Sequence, residues 1–258
     1  MIEKKNILNY VDLKRPTIFA HRGSSAYAPE NTLAAFKLAV KQHADGIELD
    51  VKLSSDNQVV VIHDDTVNRT SNGTGWIKSL SLPELKRLDV GSKFSPAYKS
   101  ERIPTLAEVF EIVGQKILIN VELKNYTSPA DDLPDRVIAI VKEYGLETSV
   151  ILSSFNMIAL IRARSILPKI PLGLLTVSGL AELTLRSKLV RLGPLFALHP
   201  NYLDVTPKLI HAAHRANSQI HTYTVNQVDD IRQIFAAGVD GIFTDDPLLA
   251  QKVLTESR

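Results

Sequence analysis

Four short apolar runs in this sequence carry ionisable residues at regular positions. Thr17–His21 continues into Arg22-Gly23, and Gly46–Leu53 contains Glu48 and Asp50. Val59–His63 runs on into Asp64, and the run from Ile117 contains Glu122 and Lys124. Residues two apart on a strand point to the same side, so Glu48 and Asp50 share a face, as do Glu122 and Lys124. Both pairs sit in segments that otherwise read as fully buried. Three carboxylates and a cation turned into an apolar interior are costly unless they pair or bind a metal. Taken singly, each has a plain structural reading, since a lone histidine after a strand is more often architectural than catalytic. Their recurrence at similar depth on separate strands makes that reading poor.

Glu48, Asp50 and Glu122 form an oxygen-only ligand set, which suits a hard divalent cation, Mg²⁺ or Ca²⁺. The chain has no cysteine, so thiolate sites and disulfides are excluded, and zinc, which usually recruits His or Cys, ranks lower. His21 and His63 supply an acid and a base for displacement at phosphorus. Arg22 and Lys124 can neutralise phosphate oxygens, the arginine in bidentate fashion. Metal, acid, base and cationic clamp are together what cleavage of a phosphodiester requires.

Such residues need a scaffold that gathers strand ends. Further strands are expected at Val150–Ser153, Pro171–Leu175, Leu195–His199, Ile220–Thr224 and Gly241–Thr244. Helical periodicity marks Thr32–Gln42, Leu106–Val113, Leu133–Glu143, Met157–Ser165, Leu180–Arg191, Pro207–Ala216, Val228–Ala236 and Pro247–Leu254. Apolar strands alternating with helices along the whole chain, with no linker between halves, point to a single (β/α)₈ TIM barrel over residues 1–258. Active sites of such barrels lie at the C-terminal strand ends. There are nine strand candidates for eight places. Gly46–Leu53 and Val59–His63 are too close for a parallel crossover, so they should form a hairpin and leave the barrel locally irregular. Residues 64–102, polar and far longer than an ordinary loop, should be a small folded insertion capping the barrel mouth.

The bulk numbers fit this. The chain has 258 residues, 45% hydrophobic and 22% charged, with 30 Lys plus Arg against 28 Asp plus Glu. A net charge of +2 argues against a dedicated nucleic-acid binder. Met1 to Arg15 has no apolar signal region, and no stretch approaches 18 uninterrupted apolar residues, so no integral membrane segment is expected and a cytoplasmic location is the default. Oligomeric state is not legible.

The ordered motifs His21-Arg22-Gly23, Pro29-Glu30-Asn31-Thr32, Glu48-Leu49-Asp50-Val51, His63-Asp64, Glu101-Arg102-Ile103-Pro104-Thr105-Leu106 and Glu122-Leu123-Lys124 resemble the glycerophosphodiester phosphodiesterase family. Ser154-Phe155, Thr224-Val225-Asn226 and Gly241-Ile242-Phe243-Thr244-Asp245 extend the resemblance almost to the C-terminus. Each motif is weak alone; their order and spacing are specific. The resemblance implies that Glu48, Asp50 and Glu122 bind the metal, that His21 and His63 are the acid–base pair, and that Arg22 and Lys124 hold the phosphate. It implies a small-molecule substrate, a glycerophosphodiester cleaved to glycerol 3-phosphate and an alcohol, and it matches the insertion to the family's extra subdomain. Relatives act on lysophospholipids instead, so lysophospholipase D is the alternative activity. Tyr223 stands where many members have Trp at the substrate end, which leaves headgroup preference open.

Other residues read more plainly. Asn31 is expected to cap a helix, with Glu30 supporting the site; Asp246 should cap the helix at Pro247. Phe155 is a candidate for the pocket wall, and Trp76 for either the insertion's core or the pocket lip. His199, His211, His214 and His221 are expected to be architectural. A catalytically silent barrel would have lost one of the seven core residues, and none is missing. A sugar-phosphate isomerase would need neither three carboxylates at one metal nor the insertion.

Overall fold

The computed structural model describes residues 8–10, 13, 16–186 and 195–256. Its strands are β1 (Thr17–Ala20), β2 (Gly46–Leu53), β3 (Val59–Val61), β4 (Leu118–Leu123), β5 (Val150–Ser154), β6 (Leu172–Leu175), β7 (Ala197–His199), β8 (Gln219–Thr222) and β9 (Gly241–Thr244). All except β3 pair in parallel, in the order β1-β9-β8-β7-β6-β5-β4-β2, and β1 pairs back to β2 to close an eight-stranded barrel. This is the (β/α)₈ barrel expected from the alternation.

The helices are α1 (Leu33–Lys41), α2 (Leu82–Leu85), α3 (Leu106–Val113), α4 (Leu133–Glu143), α5 (Met157–Ile166), α6 (Ala181–Arg186), α7 (Pro207–Arg215), α8 (Val228–Ala237) and α9 (Pro247–Glu256). Of the helix expected over Leu180–Arg191, the part beyond Arg186 lies outside the described residues. No helix among the described residues is long and apolar enough to cross a membrane.

Strand periodicity explains the division of labour. Ile47, Leu49 and Val51, with Ile119, Val121 and Leu123, join the main core between strands and helices. The intervening residues, Glu48 and Asp50 on β2 and Asn120 and Glu122 on β4, must then face the barrel interior. Phe19, Leu118, Ile151, Ala197 and Phe243 pack with Tyr10 in a separate cluster inside the barrel.

The nine-for-eight surplus resolves as the hairpin the short connection requires. β3 is antiparallel to β2, with Val51 opposite Val61 and Leu53 opposite Val59. Because β3 runs back down β2, the Ile62 N–H reaches the Asp50 carbonyl at 2.9 Å, and His63 is returned to the depth of Asp50. Residues 64–102 pack Val67, Ile77, Leu85 and Val90 with Val60, Ile62 and Ile103 in their own cluster. Trp76 is no part of it; the side chain is 51% exposed.

Candidate active site

Register between β2 and β4 sets Glu48 beside Asn120 and Asp50 beside Glu122. One oxygen from each of Glu48, Asp50 and Glu122 lies within 4.8 Å of the others, and all three residues are buried. Burial, then repulsion from Asp50 and Glu122, pushes the Glu48 carboxyl well above the usual carboxylate range, against the pull of Arg22. Burial raises Asp50 too, but the charges of Lys124 and Arg22 outweigh it and hold Asp50 below its ordinary value. A buried acid cluster whose member Glu48 resists ionisation is an arrangement that a divalent cation relieves, and its oxygen-only donors fit a hard one.

The cations are interleaved with these acids. Lys124 Nζ lies 3.1 Å from Glu122 and 3.5 Å from Asp50. Arg22 Nε lies 3.4 Å from Asp50, its backbone N–H donates to Glu48 at 2.9 Å, and its guanidinium donates to Glu30 at 2.9 Å.

Both histidines have a carboxylate behind them. His21 Nδ1 is 2.6 Å from Asp245 Oδ1, and Asp245 also accepts from Ser25 and Asn226. His63 Nδ1 is 2.7 Å from Asp64 Oδ1. With Nδ1 turned onto a carboxylate, Nε2 of each ring is left to take or give a proton. Burial is the main influence that lowers the His63 pKa, helped by Lys124 and Arg22 and opposed by Asp50. Arg69 from the insertion grips Asp64 at 2.7 Å and Glu30 at 2.7 and 2.8 Å. A continuous chain of ion pairs therefore runs His63–Asp64–Arg69–Glu30–Arg22.

A cavity of about 290 Å³ is lined by His21, Arg22, Glu48, His63, Glu122 and Lys124, with Phe155 and Tyr223 on its wall. Asp50, 1% exposed, stands behind this lining against Arg22 and Lys124. All nine residues singled out from the sequence are thus gathered at one barrel mouth. Phe155 meets Tyr223 and Tyr126 edge-on, with ring centroids 6.2 and 5.8 Å away. Burial pushes the Tyr223 hydroxyl up to about 12, and it donates to the Thr176 carbonyl at 2.8 Å.

Several neighbours were not anticipated. Asn31 is not the cap of α1: the Thr32 hydroxyl accepts from Ala35 N. Asn31, at φ +56, turns instead onto Asp50, its Nδ2 donating to the carboxylate at 2.8 Å and its Oδ1 accepting the Asp50 N–H at 3.2 Å. Tyr126 donates from its hydroxyl to Glu122. Lys52 bonds Asp65 and the Lys124 carbonyl. Extending the alternation from 48 and 50 to 52, and from 122 and 124 to 126, would have found both. Nothing local points to Asp245 as the partner of His21, 224 residues away. Asp246 does cap the start of α9, accepting from Leu249 N at 2.9 Å. His199 stacks on His221 at 5.4 Å in the barrel interior, 1% exposed, yet also reaches the cavity lining. Burial, followed by His221, holds its pKa well down, so it stays neutral.

Comparisons with known proteins agree with this geometry. The Glycerophosphoryl diester phosphodiesterase family profile matches residues 21–249. A Glycerophosphodiester phosphodiesterase of Caldanaerobacter subterraneus subsp. tengcongensis is 43% identical over 89% of this chain and 94% of its own length. One from Bacillus altitudinis is 37% identical over 93% of this chain and 99% of its own. A phosphodiesterase structure from Oleispira antarctica, in complex with the product sn-glycerol-3-phosphate, superposes with a TM-score of 0.86 at 31% identity, covering 93% of this chain and 97% of that one. Eight parallel strands, a buried triad of carboxylates at their mouth and a profile match across nearly the whole chain lead to one assignment: the chain belongs to the glycerophosphoryl diester phosphodiesterase family and is a phosphoric diester hydrolase.

Proposed function

We propose that the enzyme cleaves glycerophosphodiesters to glycerol 3-phosphate and an alcohol, with Glu48, Asp50 and Glu122 holding Mg²⁺ or Ca²⁺ and with His21 and His63 transferring protons. The observation that carries this reading is the convergence of three buried carboxylates, within 4.8 Å of one another, with two carboxylate-backed histidines. The bound cation supplies charge neutralisation at the phosphoryl oxygens. Arg22 and Lys124 bind the non-bridging oxygens and orient the phosphorus. His63, kept neutral near pH 7 by burial, takes on Nε2 the proton of the attacking oxygen, that of water in the step that yields glycerol 3-phosphate. His21, its Nδ1–H held by Asp245, gives the leaving alcohol oxygen a proton carried on its Nε2 as the P–O bond breaks. Phe155 and Tyr223 wall the glycerol end.

Residues 64–102 act in this reading as an insertion over the mouth of a single catalytic unit, coupled to the chemistry through the Arg69 ion pairs. The test is direct: glycerophosphocholine and glycerophosphoethanolamine are incubated with enzyme dialysed against EDTA, then with Mg²⁺ or Ca²⁺, and glycerol 3-phosphate is quantified. Full turnover in excess chelator sinks the metal assignment, and release of a phosphorylated alcohol in place of glycerol 3-phosphate sinks the bond assignment.

A specific observation favours lysophospholipase D as the second reading. Val177, Leu180 and Leu203 are 59, 45 and 72% exposed, on loops tied by Gly179 N–H bonds to Asp204. Val177 and Leu180 follow the cavity residue Leu175, and with Leu203 they could carry an acyl chain outward from the glycerol end. The polar insertion argues for small substrates. Comparing kcat/KM for glycerophosphocholine and monomeric lysophosphatidylcholine decides it; a tenfold lysolipid advantage, about 1.4 kcal/mol of transition-state binding, selects the second reading.

A further inference from the structure

A second cavity, of about 460 Å³, opens on the other side of His21 and Arg22, between the barrel rim and the insertion. Besides those two residues its wall includes Glu30, Arg69, Lys93, Phe94 and Asp245. A phosphodiester has two arms that diverge from phosphorus. With the glycerol arm in the cavity of Phe155 and Tyr223, this chamber, which shares His21 and Arg22 with it, offers the leaving alcohol a path outward.

The charges of this chamber are unevenly committed. Glu30 is bound by both Arg22 and Arg69, and Asp245 is engaged by His21, Ser25 and Asn226. Arg69 spends its fork on Glu30 and Asp64. Lys93 is different. Its Nζ holds two backbone carbonyls, Asn68 O at 2.6 Å and Arg69 O at 3.3 Å, and no carboxylate lies within ion-pair distance among the described residues. Two carbonyls place the ammonium without neutralising it. The charge left for a ligand in this chamber is therefore positive, beside the exposed ring of Phe94. Phe94 beside free carboxylates would suit a quaternary ammonium, but both carboxylates here are already satisfied.

We propose that this chamber is the leaving-group subsite and that Lys93 selects alcohols bearing an anionic group, a carboxylate or a second phosphate, over those bearing only an ammonium. The proposal rests on the glycerophosphodiesterase reading and refines its substrate class. A carbonyl-bound lysine could be merely a staple of the insertion, so the readout must separate recognition from folding.

Two substrate pairs isolate the anionic group: glycerophosphoserine against glycerophosphoethanolamine for a carboxylate, and glycerophosphoglycerol with and without a terminal phosphate for a phosphate. The ratio of kcat/KM within a pair cancels any loss of active protein. At low ionic strength it should favour the anionic member by about two- to fivefold, the worth of one exposed ion pair, and collapse in about 1 M salt. Lys93→Gln should bring the ratio to one, and Lys93→Glu should invert it, chiefly through KM. Preference in one pair only identifies the anionic source. Ratios of one or less in the wild type for both pairs, or wild-type ratios in both variants, overturn the proposal while hydrolysis itself continues. If none of the four compounds is hydrolysed, the functional reading fails and this inference with it.

Discussion

Replacing Glu48 with glutamine should stabilise the metal-free protein, and by an amount that depends on pH in a defined way. Carboxylate oxygens within 4.8 Å of one another repel by at least about 3.5 kcal/mol per pair at an effective dielectric near 20. Glu48 faces two such neighbours, Asp50 and Glu122, in a buried setting, and the single Arg22 N–H bond offsets only part of this. The carboxyl answers by keeping its proton. Its folded pKa is raised above the unfolded value of about 4.3. The wild type is therefore fully stabilised below about pH 4.3 and loses stability as pH rises from there through the folded pKa, beyond which the loss is constant. Glutamine is a neutral isostere without this titration. The stability difference, variant minus wild type, should be flat at low pH. It should then grow by about 1.4 kcal/mol per pH unit before levelling off, each kcal/mol appearing as roughly 2–4 °C in Tm for a chain of this size. Urea melts of both proteins in EDTA between pH 4 and 8 measure it. Saturating Mg²⁺ or Ca²⁺ should reverse the order, because only the wild type gains about 2.7 kcal/mol at a hundredfold excess of metal over Kd. Parallel pH profiles in EDTA, or a variant less stable throughout, would refute the reasoning that these carboxylates are mutually frustrated without a cation.

His21→Ala and His63→Ala should each lower kcat by about 10² to 10⁴, with the double variant little worse than either alone; near-normal turnover in both would remove the pair from the mechanism. The depressed pKa of His63 means that activity falls on acidification only below the usual histidine value of about 6.5, which a pH profile of kcat/KM checks. Asp245→Asn should reduce kcat while leaving metal-dependent thermal stabilisation intact, since Asp245 touches His21 and no carboxylate of the cluster; a loss of metal response instead would show that it supports the cation site. Gly91→Ala should destabilise the insertion, because an added Cβ would sit 1.8 Å from the Tyr98 carbonyl oxygen; an unchanged Tm would show that this contact relaxes freely.

How much of this was legible depended on whether the determining contact was local. The alternation Ile47-Glu48-Leu49-Asp50-Val51 writes the inward face of β2 directly into the sequence, and the hairpin follows from the mere count of residues between Leu53 and Val59. The same rule would have added Lys52 and Tyr126, whose chemistry simply continues the period. Asn31 was misread because an asparagine ahead of a helix caps helices so often. Its left-handed φ, which asparagine tolerates better than most residues, frees its amide for Asp50. Asp245 and Arg69 lay beyond reach for another reason. Their partners are brought to them by barrel closure and by the folding of the insertion, across 224 and 39 residues respectively.

The hairpin of β2 and β3 also acts as a ruler. Most barrel residues at the mouth are carried there by strands running outward, so a longer or shorter loop beyond them changes what hangs over the site but not their depth. His63 arrives on a strand running inward, after a turn in which Ser54 N–H donates to the Gln58 carbonyl and Asn57 adopts φ +58. Every residue added to or removed from that exposed turn slides β3 along β2, by about 3.4 Å per residue. An odd slip would also exchange the faces of Val59, Val60 and Val61, setting the barrel core against the core of the insertion. Among the connections on this rim, the turn at 54–58 should therefore tolerate changes of length hardly at all, its residue count fixing the position of the His63 ring.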